Sequence, residues 1–417
     1  MERLSLLKDL SFQNSSKILF WVFDGIGGLP HQETGKTELE TANIPHLDAF
    51  ARKSSCGGLQ PHGAGVTPGS GPGHLSLFGY PLDAFDLPRG VLEVLGAEGG
   101  FKNGEWVESL ELSAADLAMR GNFASMEVQN GLAVISDRRA NQISTEESHR
   151  ICLLLSKGLK VPGYELFVIP GKGHRFALMI RGKDLHGGLT DADPQKSGLP
   201  PKRVEALTES AHKSAEVVNE VIKQAESLLA TEKQAHTVLF RGIGCAPQIP
   251  SLEELYGIRC AAIATYPMYK GIARLVGMDI LEVGSMSHED EVKTLEESFQ
   301  NYDFFYLHIK ETDSYAHTGD FDGKVGVFES CDPLFERASQ LDFDVIAVTG
   351  DHCTPSVLGD HSWHPIPTAL WSKTIIGGGV SVFSEREVMK GTLGKIASRD
   401  LMPTALAEAR RFVKFGA

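Results

Sequence analysis

The chain has 417 residues, of which 42% are hydrophobic and 23% charged, with a formal net charge of −14. That balance predicts a soluble globular protein of one large domain or two ordinary ones, and the excess of acid without any Lys/Arg run argues against a nucleic-acid partner. Six cysteines without a CxxC pair read as reduced thiols rather than a disulfide framework, and no apolar run approaches the length of a membrane span.

The opening segment MERLSLLKDLSFQNSS is interrupted by Lys8 and Asp9 and shows no small-residue cleavage site, so a cytoplasmic location is expected. Lys17 to Phe23 is a continuous apolar run that stops at Asp24-Gly25, the pattern of a strand buried on both faces. Asn43 to Asp48 reads as a helix start leading to Lys53. Thr67 to His74 (TPGSGPGH) is a Gly/Pro-rich loop opening the apolar segment Leu75 to Phe78, and it carries Ser70. Glycines there permit close approach of an oxyanion, and a helix start favours negative charge.

From about 100 to 255 the chain has its own strand-like runs (Gly131 to Ile135, Phe176 to Ile180, Thr237 to Phe240), and the spacing of apolar residues predicts one helix over Arg203 to Ala230. Two further apolar runs follow, Tyr302 to Ile309 into Lys310 and Asp313, and Phe343 to Val348 into Asp351-His352. In open α/β sheets chemistry gathers at the carboxyl ends of such strands. Asp313 and His317, four residues apart, share a helix face, and His361 follows on a Gly/Pro-punctuated loop. Carboxylates with imidazoles suit divalent ions such as Zn²⁺ or Mn²⁺. A hydroxyl beside them becomes a nucleophile when a metal lowers its pKa.

These residues resemble the archaeal-type cofactor-independent phosphoglycerate mutases of the alkaline phosphatase superfamily. The resemblance runs through WVFDGIGG (Trp21 to Gly28), TPGSGPGHLSLFGY (Thr67 to Tyr80), RGNFA (Arg120 to Ala124) and DRRA (Asp137 to Ala140). It continues through YKGIARLVGMD (Tyr269 to Asp279), HIKETDSYAHTGD (His308 to Asp320), TGDH (Thr349 to His352) and HSWHPIP (His361 to Pro367). One run departs from the family, DRRANQ standing where DRRAGR is common, so the second downstream arginine is missing.

The resemblance implies an α/β fold: an alkaline phosphatase-like three-layer core with a central, mostly parallel sheet and a smaller inserted α/β domain. The expected division is an N-terminal extension over 1–16, a discontinuous metal-binding core over 17–100 and 256–417, and a substrate-binding lid over 101–255. It also implies interconversion of 3-phosphoglycerate and 2-phosphoglycerate, in glycolysis and gluconeogenesis, through a phosphoserine at a two-metal site. Two divalent ions (Mn, Zn, Mg or Co) are implied and 2,3-bisphosphoglycerate is not.

By the same resemblance Asp24, Ser70, Asp351 and His352 surround one metal, and Asp313, His317 and His361 the other. His364 and His74 are expected to be neighbours rather than ligands. Arg120, Asn122, Asp137, Arg138, Arg139, Arg175, Arg181, Arg241 and Lys270 are the candidate substrate contacts, with Asp137 as a proton-exchange group. The partner is a small phosphorylated hydroxy acid, with neither nucleic acid nor membrane, and a homo-oligomer stays open. A metal-dependent phosphatase or phosphodiesterase shares the metal core, and a non-catalytic metal-binding protein is the remaining alternative.

Overall fold

The computed structural model describes residues 2–81, 85, 87–108 and 110–416. Two compact units emerge, one of Met1–Phe85 with Ile249–Ala417 and one of Asp86–Gln248. The first junction falls earlier than the expected 101 because helix Arg89–Leu95 packs on strands of the second unit.

The first unit opens with α1 (Glu2–Leu10), β1 (Ile18–Phe23), β2 (Ser55–Gln60) and α2 (Ser70–Leu77). The second contains α3 (Arg89–Leu95), β3 (Gly99–Lys102), β4 (Glu105–Glu108), β5 (Leu117–Gln129), β6 (Leu132–Asp137), α4 (Thr145–Gly158), β7 (Tyr164–Pro170), β8 (Arg175–Gly182), α5 (His212–Leu229) and β9 (Thr237–Cys245). The chain then returns to the first unit with β10 (Cys260–Ile263), α6 (Pro267–Leu275), β11 (Asp279–Ile280), α7 (His288–Ser298) and β12 (Phe304–Ile309). It ends with α8 (Glu311–His317), α9 (Phe321–Ser339), β13 (Val345–Thr349), β14 (Ile366–Ser372), β15 (Gly394–Ala397) and a last helix over Leu401–Glu408.

The first unit is built on one sheet in the order β11-β10-β12-β1-β13-β14-β2-β15. Every pairing is parallel except the two that β14 makes, with β13 and β2. All residues of β1, β12 and β13 are buried, as parallel strands covered on both faces must be. Each large apolar side chain so buried contributes about 1.5–3 kcal/mol, which outweighs the weak intrinsic preference of a six-residue run. Residues 1–16, expected as an extension, are tied to the far end of the chain. Phe12 N donates to Arg411 O at 3.0 Å, Val413 N to Leu10 O at 2.8 Å, and the buried Arg411 guanidinium to Ser16 O at 2.7 Å.

The second unit is an antiparallel sheet, β4-β3-β7-β8-β5-β6 with β9 on the other side of β5. α4 and α5 pack on it around Leu117, Met119, Phe123, Phe176, Leu178, Val218 and Val221. Gly121 faces Phe176 across the β5–β8 pair, and a Cβ there would meet the ring at 2.3 Å. The missing side chain lets Phe176 stack on Phe123 with centroids 4.5 Å apart. α5 starts later than the expected Arg203. Val204 N and O are taken by the Asn219 side chain at 3.0 and 2.8 Å, and Thr190 N donates to Glu205 O, which holds 203–207 as an extended segment.

Among the described residues all six cysteines are free, and no helix is long and apolar enough to cross a membrane.

Candidate active site

In the first unit three neighbouring strands end together. β1 lies between β12 and β13, so Asp24, Lys310 and the pair Asp351-His352 leave the sheet side by side. Lys310 directly precedes α8, whose i, i+4 spacing presents Asp313 and His317 on one face. The turn after β1 is close-packed. Gly25 has φ +61°, and a Cβ on it would lie 2.4 Å from Thr354 Oγ1, so no other residue fits there without displacement. Beneath it the buried Lys324 ammonium donates to the carbonyls of Gly25 (2.9 Å), Gly27 (3.2 Å) and Thr354 (2.8 Å), which sets the loop on which Asp24 stands.

Asp313, His317 and His361 offer ligand atoms within 4.8 Å of one another, and so do Asp24, Asp313 and His352. Asp313 is therefore common to both groups, whereas the expected division gave it to one. Asp351 sits beside them, with Oδ2 2.9 Å from His352 Nε2 and 3.2 Å from His74 Nδ1, and Oδ1 accepting from Gly25 N. Ser70 starts α2, and its Oγ lies 3.2 Å from His352 Nε2. Its N-cap is Gly69, which has no side chain to satisfy the first-turn N–H groups, so an anion can use them. His74 is fully buried with Nδ1 2.9 Å from Ser70 O, and His364 stacks on Trp363 with Nδ1 3.0 Å from Ser362 Oγ.

Two buried aspartates, Asp24 and Asp313, thus share the Lys310 ammonium, and Asp351 lies against the His352 and His74 imidazoles. Burial and Asp351 push the Asp24 carboxyl up, yet Lys310 and His308 bring it below the ordinary carboxylate value. Lys310, which donates to both Asp24 and Asp313, is held above the ordinary lysine value by those two despite its burial. Even so, Asp24 Oδ1 receives no hydrogen bond, and Asp351 Oδ2 meets only the two imidazole nitrogens. A buried carboxylate oxygen without a donor is costly. Clustered carboxylate oxygens and imidazole nitrogens are a donor set for divalent cations, so these residues fit the implied ions.

The second unit holds a complementary feature. Arg120 and Asn122 alternate on β5 and share a face. Arg241 on β9 is the register partner of Arg120, and Arg175 on β8 that of Asn122. Arg138 and Arg139 follow β6, and the six residues with His174 line a cavity of about 150 Å³. Like charges opposite each other in a sheet are unfavourable. Burial, then Arg89, brings the Arg120 guanidinium down to about 10. Arg138 is gripped by the buried Asp193 carboxylate, Nε to Oδ1 at 2.9 Å, and Arg241 Nε lies 3.8 Å from Asp191 and Asp193. Among the described residues no carboxylate pairs with Arg139 or Arg175.

Three of the expected substrate contacts do not line this cavity. Arg181, near the far end of β8, donates to Asp116 Oδ2 at 2.8 Å and to Glu111 O. Asp137 spends both oxygens on its own turn, accepting from Arg139 N and Asn141 N at 2.8 Å each. Lys270 belongs to the first unit, on α6, 3.5 Å from Glu282 Oε2. Sequence reading missed Lys324 and Thr354, which carry no local pattern. It also missed His174, whose one hint is the adjacent Arg175; burial first, then Arg175, Arg139 and Arg120, lower that imidazole to about 4.

A mostly parallel sheet with acids and imidazoles at adjoining strand ends, and a serine at a neighbouring helix start, defines an α/β protein whose reactive side chains gather at the carboxyl ends of its strands. Residues 51–235 match the model of the family described as 2,3-bisphosphoglycerate-independent phosphoglycerate mutase. A protein of Aquifex aeolicus named as a probable enzyme of that kind is 42% identical over 99% of this chain and 100% of its own length. A solved cofactor-independent phosphoglycerate mutase of Thermoplasma acidophilum is 28% identical with a TM-score of 0.70, covering 94% of this chain and all of its own. A solved protein of Pyrococcus horikoshii, also 28% identical, reaches a TM-score of 0.81 over 97% of this chain and all of its own. The chain belongs to the family of 2,3-bisphosphoglycerate-independent phosphoglycerate mutases.

Proposed function

We propose that the protein interconverts 3-phosphoglycerate and 2-phosphoglycerate, with Ser70 as the phosphate carrier and without added 2,3-bisphosphoglycerate. The observation that carries this reading is Ser70 Oγ at a helix start, 3.2 Å from His352 and beside the buried aspartates. The Ser70 hydroxyl gives up its proton as Oγ attacks phosphorus; the Oγ–P bond forms, the P–O3 bond breaks and O3 takes up a proton, leaving phosphoserine and glycerate. Glycerate turns and its 2-hydroxyl gives up its proton as O2 attacks phosphorus; the O2–P bond forms, the Oγ–P bond breaks and Oγ regains a proton. Divalent ions (Mn, Zn, Mg or Co) held by Asp24, Ser70, Asp351 and His352, and by Asp313, His317 and His361, with Asp313 within reach of both groups, would lower the serine pKa and neutralise charge on the phosphoryl oxygens. The first-turn N–H groups of α2 add positive partial charge for the same oxygens.

The arginines of the second unit supply forks for carboxylate and phosphate oxygens. We assign that unit the role of a lid that holds glycerate and keeps water from the phosphoserine. The glycolytic substrate points to the cytoplasm, and the net charge of −14 speaks against nucleic acid. The test is incubation of metal-loaded protein with 3-phosphoglycerate alone. Accumulation of 2-phosphoglycerate is expected; release of inorganic phosphate alone would make the protein a phosphatase and overturn the proposal.

A further inference from the structure

We infer that His174, with Asn122, reads a hydroxyl group of the bound hydroxy acid, and so sets specificity for hydroxylated over plain carboxylates. The inference rests on the reading that the arginine cavity holds the glycerate part of the substrate.

The argument is one of donors and acceptors. Arg120, Arg138, Arg139, Arg175 and Arg241 line the cavity, and a guanidinium donates and never accepts. Five forks satisfy the oxygens of a carboxylate or phosphate. They cannot take the proton of an alcohol, which needs an acceptor. Two lining residues offer one. The Asn122 amide is buried, and its Oδ1 receives no hydrogen bond. It stands on β5 directly opposite Arg175. His174 is the residue before Arg175, and its carbonyl accepts from Phe123 N at 2.9 Å, which ties the turn to β5 next to Asn122.

The charge state of His174 agrees with this role. Burial and the neighbouring guanidinium groups keep the ring neutral above about pH 4. Asp137, a carboxylate that favours the charged ring, is occupied by its own backbone turn. A neutral imidazole has one bare nitrogen, so the cavity combines donors for the anion with acceptors for the alcohol. Sites that hydrogen-bond a substrate hydroxyl reject an analogue lacking it, because their buried polar groups then stay unpaired.

The test is calorimetric titration of the full-length protein with 3-phosphoglycerate and with 3-phosphonooxypropanoate, which lacks the 2-hydroxyl alone. Wild type is expected to prefer the hydroxylated ligand by about tenfold, the worth of one such hydrogen bond. His174→Ala should reduce that preference while binding the deoxy ligand as before. His174→Gln, which keeps an acceptor, should retain most of the preference, and His174→Lys, a donor alone, should not. If His174→Ala does not fold, as judged by melting, the Gln and Lys pair decides. Absence of preference in wild type, an unchanged preference in Ala or Lys, or equal weakening for both ligands would overturn the inference. Failure of the mutase reading shows separately, as no 2-phosphoglycerate formed by a wild type that still discriminates the two ligands.

Discussion

The two units carry charge imbalances of opposite sign. In the first, Asp24 and Asp313 are buried around one lysine with Asp351 against two imidazoles, and Asp24 Oδ1 lacks a donor. In the second, five guanidinium groups line one cavity, and the buried Asp193 grips Arg138 alone at hydrogen-bonding distance. Folding by itself favours neither arrangement, since uncompensated buried charge is destabilising. The sign of what is missing suits cations at the strand ends of one unit and an anion at the sheet face of the other.

The largest effect expected from breaking this contrast is at Ser70. Ser70→Ala removes the carrier and leaves the carboxylates and imidazoles in place, so turnover should fall by about 10³-fold or more while bound metal stays near wild type. A variant retaining a tenth of the rate would show that another group carries the phosphate. Asp313→Asn tests the sharing of one carboxylate by two groups of ligands. Metal titration should show both sites weakened, with activity down by at least about 10²-fold; loss of one site alone would restore the simpler division.

The positive side is broken at Arg175. Arg175→Ala should weaken binding of 3-phosphoglycerate by about tenfold, and the ratio of inorganic phosphate to 2-phosphoglycerate should rise as glycerate escapes before re-phosphorylation. Arg181→Ala, which loses the pair with Asp116, should move neither quantity. The smallest effect concerns a carboxyl neutralised by a proton instead of a cation. Glu291 on α7 is buried with Oε2 unpartnered, and burial, then Glu311, pushes it up to about 9. The folded state keeps that proton above pH 4.5, where the unfolded chain releases it, so this contribution to stability fades as pH rises from there to about 9. Glu291→Gln should therefore melt higher than wild type by a margin of a few degrees that grows between about pH 6 and about pH 8.5. A margin independent of pH would mean that the carboxyl is ionised throughout.

What could be read from the sequence follows from range. β1, β12 and β13 announce themselves because strands covered on both faces need unbroken apolar runs, and the first polar residue after each run marks the strand end. Asp313 and His317 are legible as a pair because helical spacing is local. Arg138 and Arg181 could not be sorted in the same way. Their partners Asp193 and Asp116 lie 55 and 65 residues away, and nothing near either arginine in the chain distinguishes a held guanidinium from one facing a ligand. The stretch 203–207 has helical spacing, but Asn219 captures its backbone after Pro200-Pro201, a contact that exists only once α5 is docked. Lys324 likewise looks like any surface lysine of a helix until the loop carbonyls above it are seen.

Gly121 has a consequence for how variation along this chain should be read. It sits between Arg120 and Asn122 yet faces the opposite side of the sheet, where the ring of Phe176 fills its space. In a saturation-mutagenesis screen scored by growth, alanine at 121 would push that ring, and with it the start of β8, out of register with β5. The position would score as intolerant as Arg120 and Asn122 on either side. A map of intolerance drawn on the sequence would then merge two different demands, one made by the substrate and one by an aromatic ring that never meets it.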